Sequence, residues 1–233
     1  MTHYLDTLLF AALPYAVMVV FFLGTIQRYR AQSFSYSSLS SQFLENRQHF
    51  WALVPFHYGI LMVLAGHVVA FLVPRQVLLW NSRPLRLYIL EAGGLVFGIT
   101  TLVSLGAIIY RRLTVPKVKV VTSAADWVVY ILLLFQVVTG VYIAVFRPWG
   151  SSWFAASAAP YLWSLIKLNP QIGYLVAMPL SVKLHVVNAF LVIGFFPFSR
   201  LVHILVVPNM YLWRRPQVVR WNDDPRAPRA VSR

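Results

Sequence analysis

Apolar residues cluster along the chain in five long runs that are separated by shorter, more polar connections. The runs cover residues 8–26, 51–73, 90–110, 127–146 and 182–207. Because a helix needs about 20 apolar residues to cross the hydrocarbon core of a bilayer, each run is long enough to span a membrane. The pattern therefore predicts an all-α polytopic membrane bundle of five transmembrane helices in residues 1–207, followed by a basic tail in residues 208–233.

Composition and charge agree with this architecture. Hydrophobic residues make up 59% of the 233 residues and charged residues only 11%, which is too apolar for an ordinary soluble domain. Of the 20 Lys and Arg residues, 14 fall on the side of the predicted membrane that holds the C-terminus. Since loops that stay in the cytoplasm are enriched in Lys and Arg, the N-terminus is predicted to lie outside and the C-terminal tail in the cytoplasm.

The net charge of +14 does not indicate a nucleic-acid partner. The basic residues are spread over loops on both sides, and no nucleic-acid-binding module is recognisable. Membrane topology and contact with the anionic headgroups of a lipid bilayer explain the charge better.

The connection between the fourth and fifth runs, residues 148–181, is predicted to lie outside. It contains several large aromatic residues, namely Trp149, Trp153, Tyr161, Trp163 and Tyr174. Because such side chains seldom remain fully exposed to water, we expect this connection to pack over the helix ends.

The sequence contains no cysteine. That excludes a disulfide, a covalently attached c-type haem and a cysteine-ligated iron–sulfur cluster in this chain. No P-loop, nucleophile-elbow or zinc-protease motif occurs either. The candidate chemistry therefore depends on histidine.

Four histidines lie inside apolar runs, His57 and His67 in the second and His185 and His203 in the fifth. For a single intramembrane histidine, a hydrogen bond between helices is as good an explanation as a ligand role. The second and fifth helices cross the membrane in opposite directions, so His57 pairs with His203 near the inside and His67 with His185 near the outside. Two facing pairs at two depths are what a helix bundle needs to hold two haem b groups by bis-histidine ligation.

Other uses of these histidines are less well supported. The six acidic residues lie at helix ends or outside the apolar runs, so a carboxylate-rich zinc or iron site is not expected. The alternative class is a transporter or proton channel in which the histidines relay protons. Such proteins more often carry paired acidic residues in mid-membrane, broken helices and repeated halves, and none of these is visible in the sequence.

The spacing of the histidines predicts an irregularity in the fifth helix. At about 1.5 Å per residue, His57 and His67 are separated by about 15 Å, whereas His185 and His203 are separated by about 27 Å. Two straight antiparallel helices cannot pair both sets. We therefore expect helix tilt, a kink or unwinding at Pro197, or a position for His203 beyond the regular helix.

Three segments carry a resemblance to a known family: FHYGILMVLAGHVVAFLVP, YRRLTVPKVKVVTSAADWVVYILLLFQVVTG and KLHVVNAFLVIGFFPFSRLVHILVVPNMYL. They resemble the gamma subunit of membrane-bound respiratory nitrate reductase, a five-helix dihaem cytochrome b. The likeness covers the second to fifth helices. Its most specific elements are the four histidines, the Gly66-His67 pair and the Phe-Ser-Arg-Leu-x-His segment that ends at His203.

The resemblance implies that His57 and His203 are the axial iron ligands of an inner haem b, and that His67 and His185 ligate an outer haem b. It implies that menaquinol or ubiquinol gives electrons to the outer haem, from which they pass to the inner haem. An iron–sulfur subunit and a molybdenum catalytic subunit on the cytoplasmic side would then accept them and reduce nitrate. The membrane would be the cytoplasmic (inner) membrane of a bacterium or archaeon.

The resemblance also places the quinol site beside the outer haem, next to Gly66 and His67, where a missing side chain gives room for a ring. In the family a lysine before the third helix takes part in quinol binding, and no lysine stands there in this sequence. Arg86 is the favoured substitute over Arg83, because it lies closer to the start of the third helix.

Arg111 and Arg112 lie at the cytoplasmic end of the third helix, at the predicted membrane edge. They are the predicted partners of the haem propionates, whose charge needs cations or donors to offset it. Membrane cytochromes b of sulfite-reductase- or heterodisulfide-reductase-type complexes share the helix pattern and are the alternative family.

Overall fold

The computed structural model describes residues 2–37, 41, 44 and 47–206. Five long helices form the bundle: α1 (Tyr4–Gln32), α2 (Arg47–Leu72), α3 (Pro84–Thr114), α4 (Ala124–Phe146) and α5 (Leu180–Phe195). No strand occurs in the described residues. The predicted all-α bundle of five spans is confirmed. The side of the membrane that each terminus faces stays a prediction, and the predicted tail from residue 208 lies outside the described residues.

Prolines and a capping box set where several helices begin. Pro84 occupies the first turn of α3, where its missing N–H costs no helical hydrogen bond. The short helices Pro74–Asn81 and Pro116–Val120 begin in the same way. At the start of α4, the Asp126 N–H donates to Ser123 Oγ and the Ser123 N–H donates to Asp126 Oδ2, which is a complete capping box.

The long helices pack in the spatial order α2, α3, α4, α5 and α1. Within the described part of the chain, α2 and α5 have no extensive direct contact with each other. Three of the four intramembrane histidines lie on these two helices, and the fourth follows α5. His57 and His203 therefore face each other across the bundle and not at an extensive helix–helix contact.

The contact between α2 and α3 is close because Gly59 has no side chain. A Cβ atom at position 59 would lie 2.5 Å from Thr101 Oγ1 and 3.1 Å from the Phe97 carbonyl oxygen. Thr101 is buried, and its hydroxyl donates to that same carbonyl. The glycine thus sets the separation of α2 and α3 only two residues from His57.

The connection between α4 and α5 is folded and packs over the helix ends, as predicted. It consists of the helices Gly150–Trp153, Ala159–Ile166 and Gly173–Val176 and the π-helical turn Phe154–Ala158. Tyr161 and Leu165 of this connection are buried against Phe10 of α1 and Phe190 of α5. This apolar cluster joins the ends of two transmembrane helices that are distant in sequence.

A proline in α1 leaves one backbone carbonyl without its helical donor, and the connection between α4 and α5 supplies a donor instead. Pro14 has no N–H and cannot donate to the carbonyl of Phe10, four residues earlier. The Tyr161 hydroxyl donates to that carbonyl instead, at 2.8 Å. Burial, with a smaller contribution from Tyr15, raises the pKa of Tyr161 above its ordinary value, so the hydroxyl keeps its proton.

The fifth span becomes irregular after α5, and His203 lies beyond the regular helix. Pro197 has no N–H to continue the α-helical pattern, and the Phe196 N–H bonds to the Ile193 carbonyl in a tighter turn. A 3₁₀ turn, Phe196–Phe198, and an extended residue, Ser199, follow. A second 3₁₀ segment, Arg200–Val206, then carries His203. This break resolves the predicted mismatch, because the rise of one straight helix no longer fixes the depth of His203.

Candidate haem-binding site

His57 on α2 and His203 beyond α5 face each other, as their predicted depths require. Their ring centroids are 6.4 Å apart, and their ring planes are inclined by 67°. A metal–imidazole nitrogen bond is about 2.0 Å long and the nitrogen lies about 1.2 Å from the ring centre, so two imidazoles on one iron have centroids about 6.4 Å apart. The inner pair therefore has the spacing of a bis-histidine haem site.

Three of the four histidines direct Nδ1 to a backbone carbonyl. In His57 and His67 the distance to the carbonyl oxygen four residues earlier is 2.8 Å, and in His203 the distance to the Arg200 carbonyl oxygen is 2.7 Å. A carbonyl only accepts hydrogen bonds, so Nδ1 carries the proton and Nε2 keeps its lone pair. Bonds of this kind fix the tautomer and orientation of metal-binding histidines.

His67 on α2 and His185 on α5 are the predicted outer pair, and the structure places different neighbours beside each of them. His67 is exposed on α2, and its ring meets Phe154 edge to face with the centroids 5.3 Å apart. Since Phe154 belongs to the folded connection, that connection borders the outer pair directly.

The ring of His185 is held by polar side chains of α4. Its Nδ1 lies 3.0 Å from Thr139 Oγ1, and its Nε2 lies 3.0 Å from the side-chain nitrogen of Gln136. The Thr139 hydroxyl donates to the Phe135 carbonyl, so it accepts from Nδ1–H, and the Gln136 amide donates to Nε2. The side-chain amide of Asn188 donates in turn to Gln136 Oε1 at 2.7 Å. An iron at Nε2 of His185 would take the place of the Gln136 amide.

Because Gly140 has no side chain, α4 can approach the ring of His185 closely. A Cβ atom at position 140 would lie 3.1 Å from Cε1 of His185, which is closer than ordinary van der Waals contact. Sequence reasoning did not single out Gly140, nor the polar residues Gln136, Thr139 and Asn188. The signal was present, because polar residues inside apolar spans are costly and mark functional sites.

The segment that carries His203 is anchored from two other helices. Arg28 of α1 donates from Nη1 to the carbonyls of Pro197 and Ser199, both at 2.7 Å. Arg200 forms an ion pair with Asp126 at the start of α4, with Nε 2.8 Å from Oδ1. Hydrogen bonds to charged groups are stronger than neutral ones, so these contacts replace much of the support that an α-helix would give.

The predicted propionate residues, Arg111 and Arg112, are both buried at the end of α3. Arg111 donates to the hydroxyl and the carbonyl of Ser41. Arg112 donates to Thr122 Oγ1 at 2.9 Å, and its guanidinium lies 5.8 Å from the ring centroid of Tyr130. Protein acceptors thus engage both side chains, and the propionate role stays a prediction.

The predicted quinol residues lie at the other end of the bundle. Gly66 is exposed, and a Cβ atom there would meet nothing within 4 Å. Arg86 is exposed in the first turn of α3, with its guanidinium 5.1 Å from the ring centroid of Trp80. Among the described residues, no hydrogen bond or ion pair joins Arg86 to His67, and the quinol role of Arg86 stays a prediction.

The described residues contain no group of three or more His, Asp or Glu side chains arranged to hold a metal ion directly. A haem makes a smaller demand on the protein, because the porphyrin supplies the equatorial ligands and only the axial ones come from side chains. A pair of histidines is enough to meet that demand.

A family model described as "Nitrate reductase gamma subunit" matches residues 6–222 of the chain. The nitrate reductase gamma chain of Bacillus subtilis (strain 168) is 31% identical over 217 residues, which cover 91% of this chain and 97% of that protein. The respiratory nitrate reductase 2 gamma chain of Escherichia coli (strain K12) is 29% identical over 231 residues, covering 94% and 99%. The respiratory nitrate reductase 1 gamma chain of the same organism is 29% identical over 224 residues, covering 94% and 98%.

Proposed function

Because the chain belongs to the nitrate reductase gamma subunit family, we propose that it is the quinol-oxidising dihaem cytochrome b subunit of a respiratory nitrate reductase. It is a multi-pass membrane protein and part of a nitrate reductase complex. In this proposal it takes electrons from menaquinol or ubiquinol in the cytoplasmic membrane. It delivers them to an iron–sulfur subunit and a molybdenum catalytic subunit on the cytoplasmic side, with two haem b groups as its cofactors.

The observation that carries the proposal is the facing of His57 and His203 at a ring-centroid distance of 6.4 Å. The rings come from α2 and from the segment after α5, which do not pack against each other extensively in the described residues. Each ring donates from Nδ1 to a backbone carbonyl. This arrangement supports a pair of axial ligands better than a hydrogen bond between two helices.

Bound haem b supplies reversible one-electron chemistry. The chain's own part is to hold each imidazole in one tautomer and one orientation. Backbone carbonyls do this for His57, His67 and His203, and the Thr139 hydroxyl does it for His185. Such second contacts raise the basicity of the ligand and so stabilise the oxidised iron.

We place quinol beside the outer pair, against Gly66 and His67. Open space at Gly66 supports this position, because a quinol ring needs an approach that a side chain does not fill. Quinol oxidation releases protons as well as electrons. If those protons leave at the outer side while electrons move toward the cytoplasm, the reaction separates charge across the membrane. In this proposal Arg86 contributes a donor from the start of α3.

A reduced-minus-oxidised spectrum of the purified protein tests the haem assignment. We expect b-type absorbance, about two haems per chain on extraction into acid acetone, and no haem left on the polypeptide. One haem per chain, or covalently retained haem, would contradict the proposal. An absence of b-type absorbance would favour the proton-relay alternative.

Single substitutions test which histidines pair. Replacing His67 or His185 with Ala should remove one spectral component together with quinol oxidation. Replacing His57 or His203 should remove the other component and leave the outer haem reducible by quinol. The pairing is wrong if the His57 and His67 variants lose the same component.

A further inference from the structure

His203 is supported differently from the other three histidines. It lies in a 3₁₀ segment of seven residues, Arg200–Val206, that follows the extended residue Ser199. A 3₁₀ helix has poorer hydrogen-bond geometry than an α-helix and is rarely stable over such a length. An axial ligand nevertheless has to be held close to one productive orientation. The support for His203 must therefore come from outside its own segment.

Arg200 links His203 to the start of α4 through both its side chain and its main chain. Its Nε donates to Asp126 Oδ1 at 2.8 Å, and its Nη2 donates to the Val121 carbonyl at 2.8 Å. The carbonyl of the same residue accepts from Nδ1 of His203 at 2.7 Å. A displacement of the Arg200 side chain would thus move the acceptor that orients the imidazole.

The side chain of Asp126, which pairs with Arg200, is itself held in place at the start of α4. It is buried, with 6% of its surface exposed, and its other carboxylate oxygen, Oδ2, accepts from the Ser123 N–H at 2.9 Å. Its own N–H completes the capping box by donating to Ser123 Oγ. These contacts hold the carboxylate at the start of α4, so the ion pair fixes the position of the Arg200–Val206 segment relative to α4.

We propose that Asp126 and Arg200 form a positioning pair that sets the orientation of the His203 imidazole and thereby the midpoint potential of the inner haem. This inference rests on the proposed function, in which His57 and His203 hold that haem. When the pair is intact, the Nδ1–H bond to the Arg200 carbonyl makes the imidazole more basic and stabilises oxidised iron. When it is broken, the bond weakens, the ring rotates and the midpoint potential rises.

Asp126 and Arg200 carry opposite charges, so substituting each in turn distinguishes a loss of positioning from a change in the electrostatic field at the haem. Asp126→Asn removes a negative charge near the inner pair, and Arg200→Gln removes a positive one. Field effects alone would raise the potential in the first variant and lower it in the second. Loss of positioning raises the potential in both, because the same carbonyl contact weakens in each.

The experiment uses the full-length protein in membranes, with redox titration of the haem absorbance and electron paramagnetic resonance of the oxidised protein. The two imidazole planes are inclined by 67°, and the low-spin ferric signal depends on that angle. We expect Asp126→Asn and Arg200→Gln to shift the inner-haem signal and to raise its potential. Release of the inner haem should become about ten-fold faster. Arg200→Lys keeps the charge and a donor for Asp126 but not the second donor to the Val121 carbonyl, so its shifts should be smaller than those of Arg200→Gln.

Ser123→Ala is the matched control. It removes the capping hydroxyl of α4 and weakens the start of that helix, but it leaves the ion pair in place. A shift of the inner-haem signal in Ser123→Ala equal to that in Asp126→Asn would mean that the pair only stabilises the start of α4. Opposite shifts of potential in the two charge variants, or no change in either, would overturn the proposal. A wild-type protein without haem would instead refute the proposed function.

Discussion

His185 and His203 belong to the same predicted membrane span, yet the structure supports them in different ways. His185 lies on a regular helix, α5, and its surroundings come from α4. Gly140 allows close approach of the two helices, and the side chains of Thr139 and Gln136 hold the ring. His203 lies in a 3₁₀ segment that is held from two other helices, by Arg28 of α1, which donates to the turn before the segment, and by Asp126 of α4, which pairs with Arg200. Under the proposed function, this difference predicts that the outer haem is sensitive to steric change and the inner haem to the loss of charged contacts.

The largest expected effect is the loss of one haem on enlargement of Gly140. A Cβ atom there already lies 3.1 Å from His185, so Gly140→Leu should displace the ring and abolish the outer haem. Haem extraction should give about one haem per chain, with the inner spectral component retained.

Gly106→Leu on α3 is the control for this substitution, because a Cβ atom at that position meets nothing within 4 Å. It should keep both haems. Gly140→Ala should show an intermediate loss, which checks that the effect grows with side-chain size. Two haems in Gly140→Leu would refute the steric account of the outer site.

Removal of Arg28 should weaken the inner site. Arg28→Ala deletes the donors to the Pro197 and Ser199 carbonyls, and each hydrogen bond to a charged group is worth about 1.5–3 kcal/mol. Transfer of inner haem to an apo-protein acceptor should become roughly ten-fold faster. Arg30→Ala, at an exposed position on the same helix, should leave that rate unchanged. Equal rates in the two variants would show that the anchor does not matter for haem retention.

A smaller effect is expected from Thr139→Val, which removes the acceptor of His185 Nδ1–H. The imidazole becomes a weaker donor to oxidised iron, so the midpoint potential of the outer haem should rise while that of the inner haem stays constant. Redox titration of the two spectral components measures this. Thr100→Val, which removes a hydroxyl that donates to the Val96 carbonyl of its own helix, is the control and should shift neither potential. A shift of both haems in Thr139→Val would argue against a local role.

The smallest effect is expected in the folded connection over the outer pair. Tyr161→Phe removes the hydrogen bond to the Phe10 carbonyl and should cost about 1–3 kcal/mol, because the carbonyl loses its donor in a buried setting. Thermal unfolding followed by haem absorbance should show a lower Tm and unchanged haem spectra. The exposed residue Tyr174 supplies the control, and Tyr174→Phe should leave Tm unchanged. Altered outer-haem spectra in Tyr161→Phe would mean that the connection shapes the outer site itself.

Hydropathy alone predicted five spans, and the structure has them with boundaries that differ by several residues. α3 extends beyond its predicted run at both ends, because polar helical turns continue past the membrane-sized core of the run. The fifth span was predicted as one run to residue 207, but α5 ends at Phe195. The proline that ends it was identified in the sequence, whereas the path of the chain after it depends on contacts with α1 and α4.

The sequence by itself determined the membrane bundle and predicted which histidines pair, because span length and helix direction fix the approximate depth of each residue. Only the tertiary structure decided what surrounds those histidines. Gly140, Gln136 and Thr139 act on His185 because of how α4 is rotated about its axis, and Asp126 meets Arg200 because the chain breaks at Ser199. Rotation and breaks of this kind follow from packing between distant segments, and a local pattern of apolar and polar residues does not encode them.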